Sequence, residues 1–223
     1  MTPVLVEAKN VSRRFGDGNT SLEALHPANF IIEAGDRIAL IGPSGSGKST
    51  LLNLVAGLDD PSGGVIVWPG IGERDALRPL AIGMIHQFSS LVPTLSVTEN
   101  VALPLRLGHR AGGDEMIATA IEAVGLTGFA DRLPCELSGG QAQRAAIARV
   151  LAHRPKLLIA DEPTGQLDRT TGQAVLDAIL SHASQSGTTI LLATHDQTVA
   201  ARMNTIWHLE HGYLQTQTTR VAA

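Results

Sequence analysis

The run Arg37-Ile38-Ala39-Leu40-Ile41-Gly42-Pro43-Ser44-Gly45-Ser46-Gly47-Lys48-Ser49-Thr50-Leu51-Leu52 decides the fold. Its first part is short and almost continuously apolar, as expected of a strand covered on both faces. Its last part opens an apolar helical pattern over Leu51–Gly57. Between them the chain matches G-x-x-x-x-G-K-[S/T]. Glycines let the backbone curl so that several N–H groups point inward at phosphate oxygens. The following helix adds the positive end of its dipole. Lys48 brings a full charge to the β- and γ-phosphates of a nucleotide, and the Ser49 hydroxyl is the expected magnesium ligand. Gly42, Pro43, Ser44, Gly45, Ser46, Gly47, Lys48, Ser49 and Thr50 are therefore read as nucleotide-binding.

Working outward, two more apolar runs of the same kind follow, Leu157–Ala160 and Ile190–Ala193, with a helical pattern over Ala174–Leu180 between them. This alternation predicts an α/β fold with a mostly parallel sheet, and the phosphate-loop motif in its strand–helix setting makes it a P-loop NTPase core. Val4–Val11, Leu25–Ile32 and Val65–Trp68 read as strands without intervening helices, which predicts a small antiparallel sheet beside the main one. About Ser96 to Ala152 the chain reads as mostly helical. Asp114 is placed to cap a helix with Ile117, Ile121 and Val124 on one face, and Gly125 is placed to end it. Ile206–Leu214 reads as a terminal hairpin turning near Gly212.

The bulk numbers exclude some functions. The chain has 223 residues, one domain's worth or slightly more. Its net charge is -4, from 17 basic and 21 acidic side chains, which disfavours a nucleic-acid-coating domain. Aromatics are only 3%, too few for a base-stacking platform. The one cysteine, Cys135, permits no disulfide within the chain and is read as a packing residue. The N-terminal segment carries no signal-peptide pattern, and no apolar run approaches the roughly 20 residues of a membrane span.

Two further motifs carry chemistry. The strand pattern Leu157–Ala160 ends in Asp161 and Glu162. Carboxylates at the tip of a buried strand are costly unless something uses them. Beside a phosphate loop, Asp161 is suited to magnesium and Glu162 to polarising the attacking water. The second motif is Leu137-Ser138-Gly139-Gly140-Gln141. Ser138 and Gln141 are spaced as a capping box, which a plain helix start would explain. Two consecutive glycines in a first turn weaken a helix and need another reason. Bare amides there suit an anion that must approach closely.

With that segment the sequence resembles the ABC ATPase superfamily, over essentially the whole chain. The resemblance implies an ATPase with ATP and Mg2+ as cofactors, in which Ser138, Gly139, Gly140 and Gln141 of one subunit close on ATP held by the phosphate loop of another. It implies a division into a RecA-like ATP-binding core with its β subdomain (1–86 and 154–223) and an inserted helical subdomain (87–153). It assigns Gln87 to the magnesium site and to sensing the membrane partner, and His195 to the γ-phosphate. Asp168 matches the loop that crosses the dimer interface. Phe15 matches the aromatic that stacks on adenine, the alternative being a minor core residue. The implied partners are a second copy of the chain and integral membrane permease subunits, with room for a periplasmic adaptor and none for nucleic acid. The implied location is peripheral, on the cytoplasmic face of the inner membrane.

The segments GPSGSGKSTLLNLVAGLDDPSGG, ENVALPL and DEPTGQLD are similar to the branch containing lipoprotein-release, macrolide-efflux and cell-division ATPases. That leans toward export, lipid or lipoprotein extraction, or efflux. The alternative is a regulatory ATPase that signals through a membrane partner without transport. His86 stands where an aromatic is usual and Gln166 where asparagine is common. The stretch between Trp68 and Leu80 is this chain's own.

Overall fold

The computed structural model describes residues 2–16, 21–110 and 113–217. They sort into two compact units, one within 1–77 and 189–223 and the other within 78–188.

In the first unit, strands β1 (Val4–Phe15), β2 (Leu22–Glu33) and β4 (Gly63–Val67) form an antiparallel sheet in the order β2-β1-β4. Val6, Ala8 and Val11 of β1 are buried with Leu25, Ala28, Phe30 and Ile32 of β2, while Ile31, Val65 and Val67 are exposed. This is the half-buried alternation expected of an antiparallel sheet. β1 runs four residues beyond the patterned Val4–Val11. Its register with β2 is irregular between Ala8 and Val11 and again up to Arg14, and such bulges break the period of two.

The same unit holds a parallel set. β3 (Arg37–Ile41) lies between β7 (Thr189–Thr194) and β8 (Thr205–Glu210), parallel to both. β7 is buried along its whole length, as its continuous apolar run requires. β9 (Tyr213–Gln217) returns antiparallel to β8 through a two-residue turn in which His211 (φ 48) and Gly212 (φ 78) are both left-handed. That is the mirror-image turn whose twist matches paired strands, and it sits where the sequence placed it. Helix α1 (Lys48–Val55) follows β3 and buries Leu51, Leu52, Leu54 and Val55.

In the second unit, β5 (Ile82–Ile85) and β6 (Leu157–Asp161) pair in parallel. Helices α2 (Val97–Leu107), α3 (Gly113–Ala123), α4 (Gly139–His153) and α5 (Arg169–Ser186) complete it. α4 packs against α2 and α3 and buries Ala142, Ala145, Ala146, Ala148 and Ala152, small residues that let helices approach closely. α2 starts at a capping box, in which Ser96 Oγ accepts from Glu99 N–H and Ser96 N–H donates to Glu99 Oε2. α3 ends as expected: Gly125 is left-handed (φ 67), and Leu126 N–H reaches back to Ile121 O at 3.0 Å.

Two sequence expectations are corrected here. Asp114 lies inside the first turn of α3 rather than at its cap, where its charge still favours the helix dipole. Cys135 is exposed. It sits in a single helical turn, Pro134–Glu136, none of whose residues is buried, so it does not pack.

Candidate functional site

The glycine-rich loop between β3 and α1 is wedged in place by backbone on two sides. A Cβ on Gly42 would meet Leu209 O at 2.0 Å, and one on Gly47 would meet Ala24 O at 2.2 Å. Gly47 also has φ 102, which L side chains rarely adopt. Gly212 N–H donates to Ser46 O at 3.1 Å, and His26 N–H donates to Gly212 O at 2.9 Å. The end of β8, the turn after it and β2 therefore hold the loop's shape.

Lys48 and Ser49 occupy the first turn of α1. Lys48 is only 7% exposed, and its Nζ donates to Gly42 O (2.8 Å) and Pro43 O (3.0 Å). These bonds hold the ammonium against the curled backbone, so its charge is fixed beside the loop's N–H groups. Ser46 is 4% exposed, and its Oγ is buried without a partner among the described residues.

A cavity of about 450 Å³ opens over this loop. Gly45, Gly47, Lys48, Ser49 and Thr50 line it together with Phe15, Leu22, Glu23, His211 and Gly212. Phe15 is 42% exposed, so the minor-core alternative does not hold. The Arg13 guanidinium lies 4.5 Å from its ring centroid, a cation–π contact that steadies the ring. The lining thus joins backbone N–H groups, a cation and an aromatic ring, the chemistry that a nucleotide's phosphates and base call for.

His195 follows β7 directly and is exposed. Its neighbour Asp196 caps the short helix α6 (Gln197–Ala200). The Thr198 hydroxyl and N–H both donate to Asp196 Oδ1, and these bonds hold its carboxyl below the usual range.

The second unit carries the remaining motif residues. Asp161, 9% exposed, is the last residue of β6. Glu162 follows with φ 46, a left-handed conformation that costs a non-glycine residue roughly 1–3 kcal/mol. Gly165 N–H donates to Glu162 O at 3.1 Å and closes that turn. Gln87 lies exposed on the loop after β5. Ser138 caps α4 in the box that its spacing with Gln141 foretold: Ser138 Oγ accepts from Gln141 N–H, and Ser138 N–H donates to Gln141 Oε1 at 2.8 Å. Asp168 caps α5, and the Thr171 side chain and N–H hold its carboxyl below the usual range.

Sequence reasoning missed part of the cavity wall. His211 and Gly212 were legible only as a turn, although the His-Gly pair between two strands was the signal for the left-handed backbone that brings them against the loop. Magnesium suits the donor types present. Ser49 in the first unit, and Gln87 and Asp161 in the second, each carry an oxygen donor of the kind a hard cation prefers. No cluster of three or more His, Cys, Asp or Glu exists among the described residues.

Comparison with known proteins points the same way. A family model described as ABC transporter matches residues 25–165. The lipoprotein-releasing system ATP-binding protein LolD of Legionella pneumophila (strain Lens) is 40% identical over 223 residues, which span 96% of this chain and 98% of that protein. The dimeric structure of MJ0796, a bacterial ABC transporter cassette, matches with a TM-score of 0.90 and 34% identity, covering 98% of this chain and 100% of that one. The same cassette in a dimeric post-hydrolysis state, bound to ADP and Pi, matches with a TM-score of 0.88 over the same shares.

Proposed function

The chain belongs to the ABC transporter family as an ATP-binding, ATP-hydrolysing subunit, and we propose that two copies close head to tail around two Mg-ATP to drive membrane-embedded partners. The observation that carries this is Gly139. A Cβ there would meet nothing within 4 Å. The chain's own packing therefore gives no reason for a residue that weakens a helix by about 1 kcal/mol relative to alanine. The capping box already engages the Ser138 and Gln141 N–H groups. The bare, exposed first turn suits the close approach of an anion from outside, and ATP held by a second copy supplies one. The dimeric form of the MJ0796 cassette supports this arrangement.

In the proposed mechanism, Phe15 stacks on adenine and the loop N–H groups with Lys48 hold the phosphates. Ser49, Asp161 and Gln87 would hold Mg2+, which would offset the charge that develops on the transferred phosphoryl group. Glu162 orients the attacking water and accepts its proton. His195 steadies that water and the γ-phosphate. The Ser138–Gln141 turn meets the γ-phosphate from the second copy, and Asp168 lies along the seam between copies. Placing fixed charge where charge develops supplies most of the rate.

Similarity to a lipoprotein-releasing ATPase over 96% of the chain supports a role in lipoprotein or lipid extraction, or in related export or efflux. Among the described residues no helix is long and apolar enough to cross a membrane. The similarity to LolD supports a peripheral location on the cytoplasmic face of the inner membrane, with permease subunits above and a periplasmic adaptor beyond them.

The test is Glu162→Gln. The variant is expected to bind ATP, to lose hydrolysis, and to accumulate as a dimer in light scattering with Mg-ATP. Hydrolysis at the parental rate would remove Glu162 from its role, and a monomer at saturating ATP would remove the head-to-tail pair.

A further inference from the structure

Gln87 sits on a loop that little apolar packing holds. Residues 86–90 are all exposed, Phe88 at 69%. The loop is nevertheless gripped by two side chains of one helix. Gln143 Nε2 donates to His86 O at 3.0 Å, one residue before Gln87. Arg149 Nη1 donates to Ser90 O at 2.8 Å and its Nη2 to Ser90 Oγ at 2.7 Å, three residues after it. The grips fall six residues apart on α4, about 9 Å along its axis. Two of the three bonds go to main-chain carbonyls, so they set the path of the backbone on both sides of Gln87.

We propose that Gln143 and Arg149 are positioning residues for Gln87, coupling the loop that carries it to the helix that begins at Ser138. The proposal rests on the reading of Gln87 and of the Ser138–Gln141 turn given above. Gln143 is 0% exposed on a helix whose other inward residues are mostly alanine and aliphatic, and its Oε1 has no partner among the described residues. A buried amide with one unmet atom is costly where an apolar side chain of the same size would pack freely. The bond to His86 O is what that amide supplies. Arg149 makes a forked contact that the single ammonium of lysine cannot reproduce. α4 is one uninterrupted helix of 15 residues. A displacement of its first turn, where nucleotide from the second copy would be met, is carried to both grips and so to Gln87.

The test uses the intact chain with Arg149→Lys and Gln143→Met, which keep charge and volume respectively. Hydrogen exchange over residues 86–91 is expected to quicken about tenfold in both, while amides of 142–153 keep their protection. Mn2+ binding to the ATP-loaded chain, read by electron paramagnetic resonance, is expected to weaken several-fold, with ATP affinity in EDTA unchanged. Parental exchange over 86–91, or equal loss of protection throughout α4, would overturn the proposal. Gln87→Ala separates the two ways of failing. Mn2+ affinity unmoved by Gln87→Ala overturns the metal reading of Gln87 and the proposal with it. Mn2+ affinity that falls in Gln87→Ala but not in Arg149→Lys overturns the grips alone.

Discussion

The N–H of Gly212 donates to the carbonyl oxygen of Ser46, so the turn after the last-but-one strand braces the middle of the phosphate loop. Gly212 can do this because its φ is 78 and because a Cβ would press on Ala24 O and His26 Cδ2, each at 3.2 Å. Gly212→Ala forces a shift in the turn and loosens the brace. ATP affinity is expected to fall about tenfold, equivalent to about 1.4 kcal/mol, by calorimetric titration. The far tighter Gly47→Ala, meeting Ala24 O at 2.2 Å, is expected to abolish binding in the same assay.

Phe15 faces the same cavity with a ring steadied by Arg13. Base–aromatic stacking contributes about 1–3 kcal/mol per base. Phe15→Ala is therefore expected to raise the KM for ATP about fivefold or more with kcat little changed, and Phe15→Trp to restore it. A fall in kcat at unchanged KM would show that Phe15 does not meet the base.

The parts legible in the sequence are those where chemistry restricts residue types at fixed spacing. Gly42 to Ser49 is readable because a backbone cradle, a lysine and a hydroxyl must follow one another. Asp161 and Glu162 are readable because charge ends a buried strand, and Ser138 with Gln141 because a cap spans three residues. The supports were not legible. Gly212 bonding Ser46, or Arg149 bonding Ser90, depends on where the chain returns in space, and a side chain bonded to main-chain oxygen leaves no pattern in its partner. The far end of β1 was hidden by bulges that break alternation. Cys135 was misread because a small sulfur residue packs more often than not, whereas the turn Pro134–Glu136 leaves it exposed.

His153 gives the fold an acid sensitivity with a defined sign. It is 2% exposed, and its Nδ1 lies 3.0 Å from Arg149 O. Burial first, then the charges of Arg110 and Arg149, push its pKa down to about 4 against the bond to Arg149 O. As pH falls through about 6.5 the unfolded chain takes up this proton and the folded chain does not. Stability is thus lost between pH 6.5 and 4, by about 2 kcal/mol at pH 5 from this residue. Urea unfolding at pH 7.5 and pH 5 measures the loss, and His153→Asn is expected to shrink it. An equal pH dependence in the two proteins would assign the acid sensitivity elsewhere.

The head-to-tail pairing makes a prediction that no single variant can supply. Lys48→Ala removes the charge that holds phosphate in a chain's own loop. Gly139→Leu covers the bare first turn offered to the other copy, and the open space around Gly139 means the chain itself should fold normally. Each variant alone spoils both sites of its homodimer. In a mixed dimer, the Gly139→Leu chain supplies an intact phosphate loop and the Lys48→Ala chain an intact Ser138–Gln141 turn, so one whole site is rebuilt. An equimolar mixture holds mixed dimers as half its population, each with one site of two. ATPase activity is therefore expected to recover to about a quarter of the parental rate for independent sites. Activity no greater than the mean of the two separate variants would mean that each chain completes its own site, and the pairing of Gly139 with another copy's Lys48 would have to be given up.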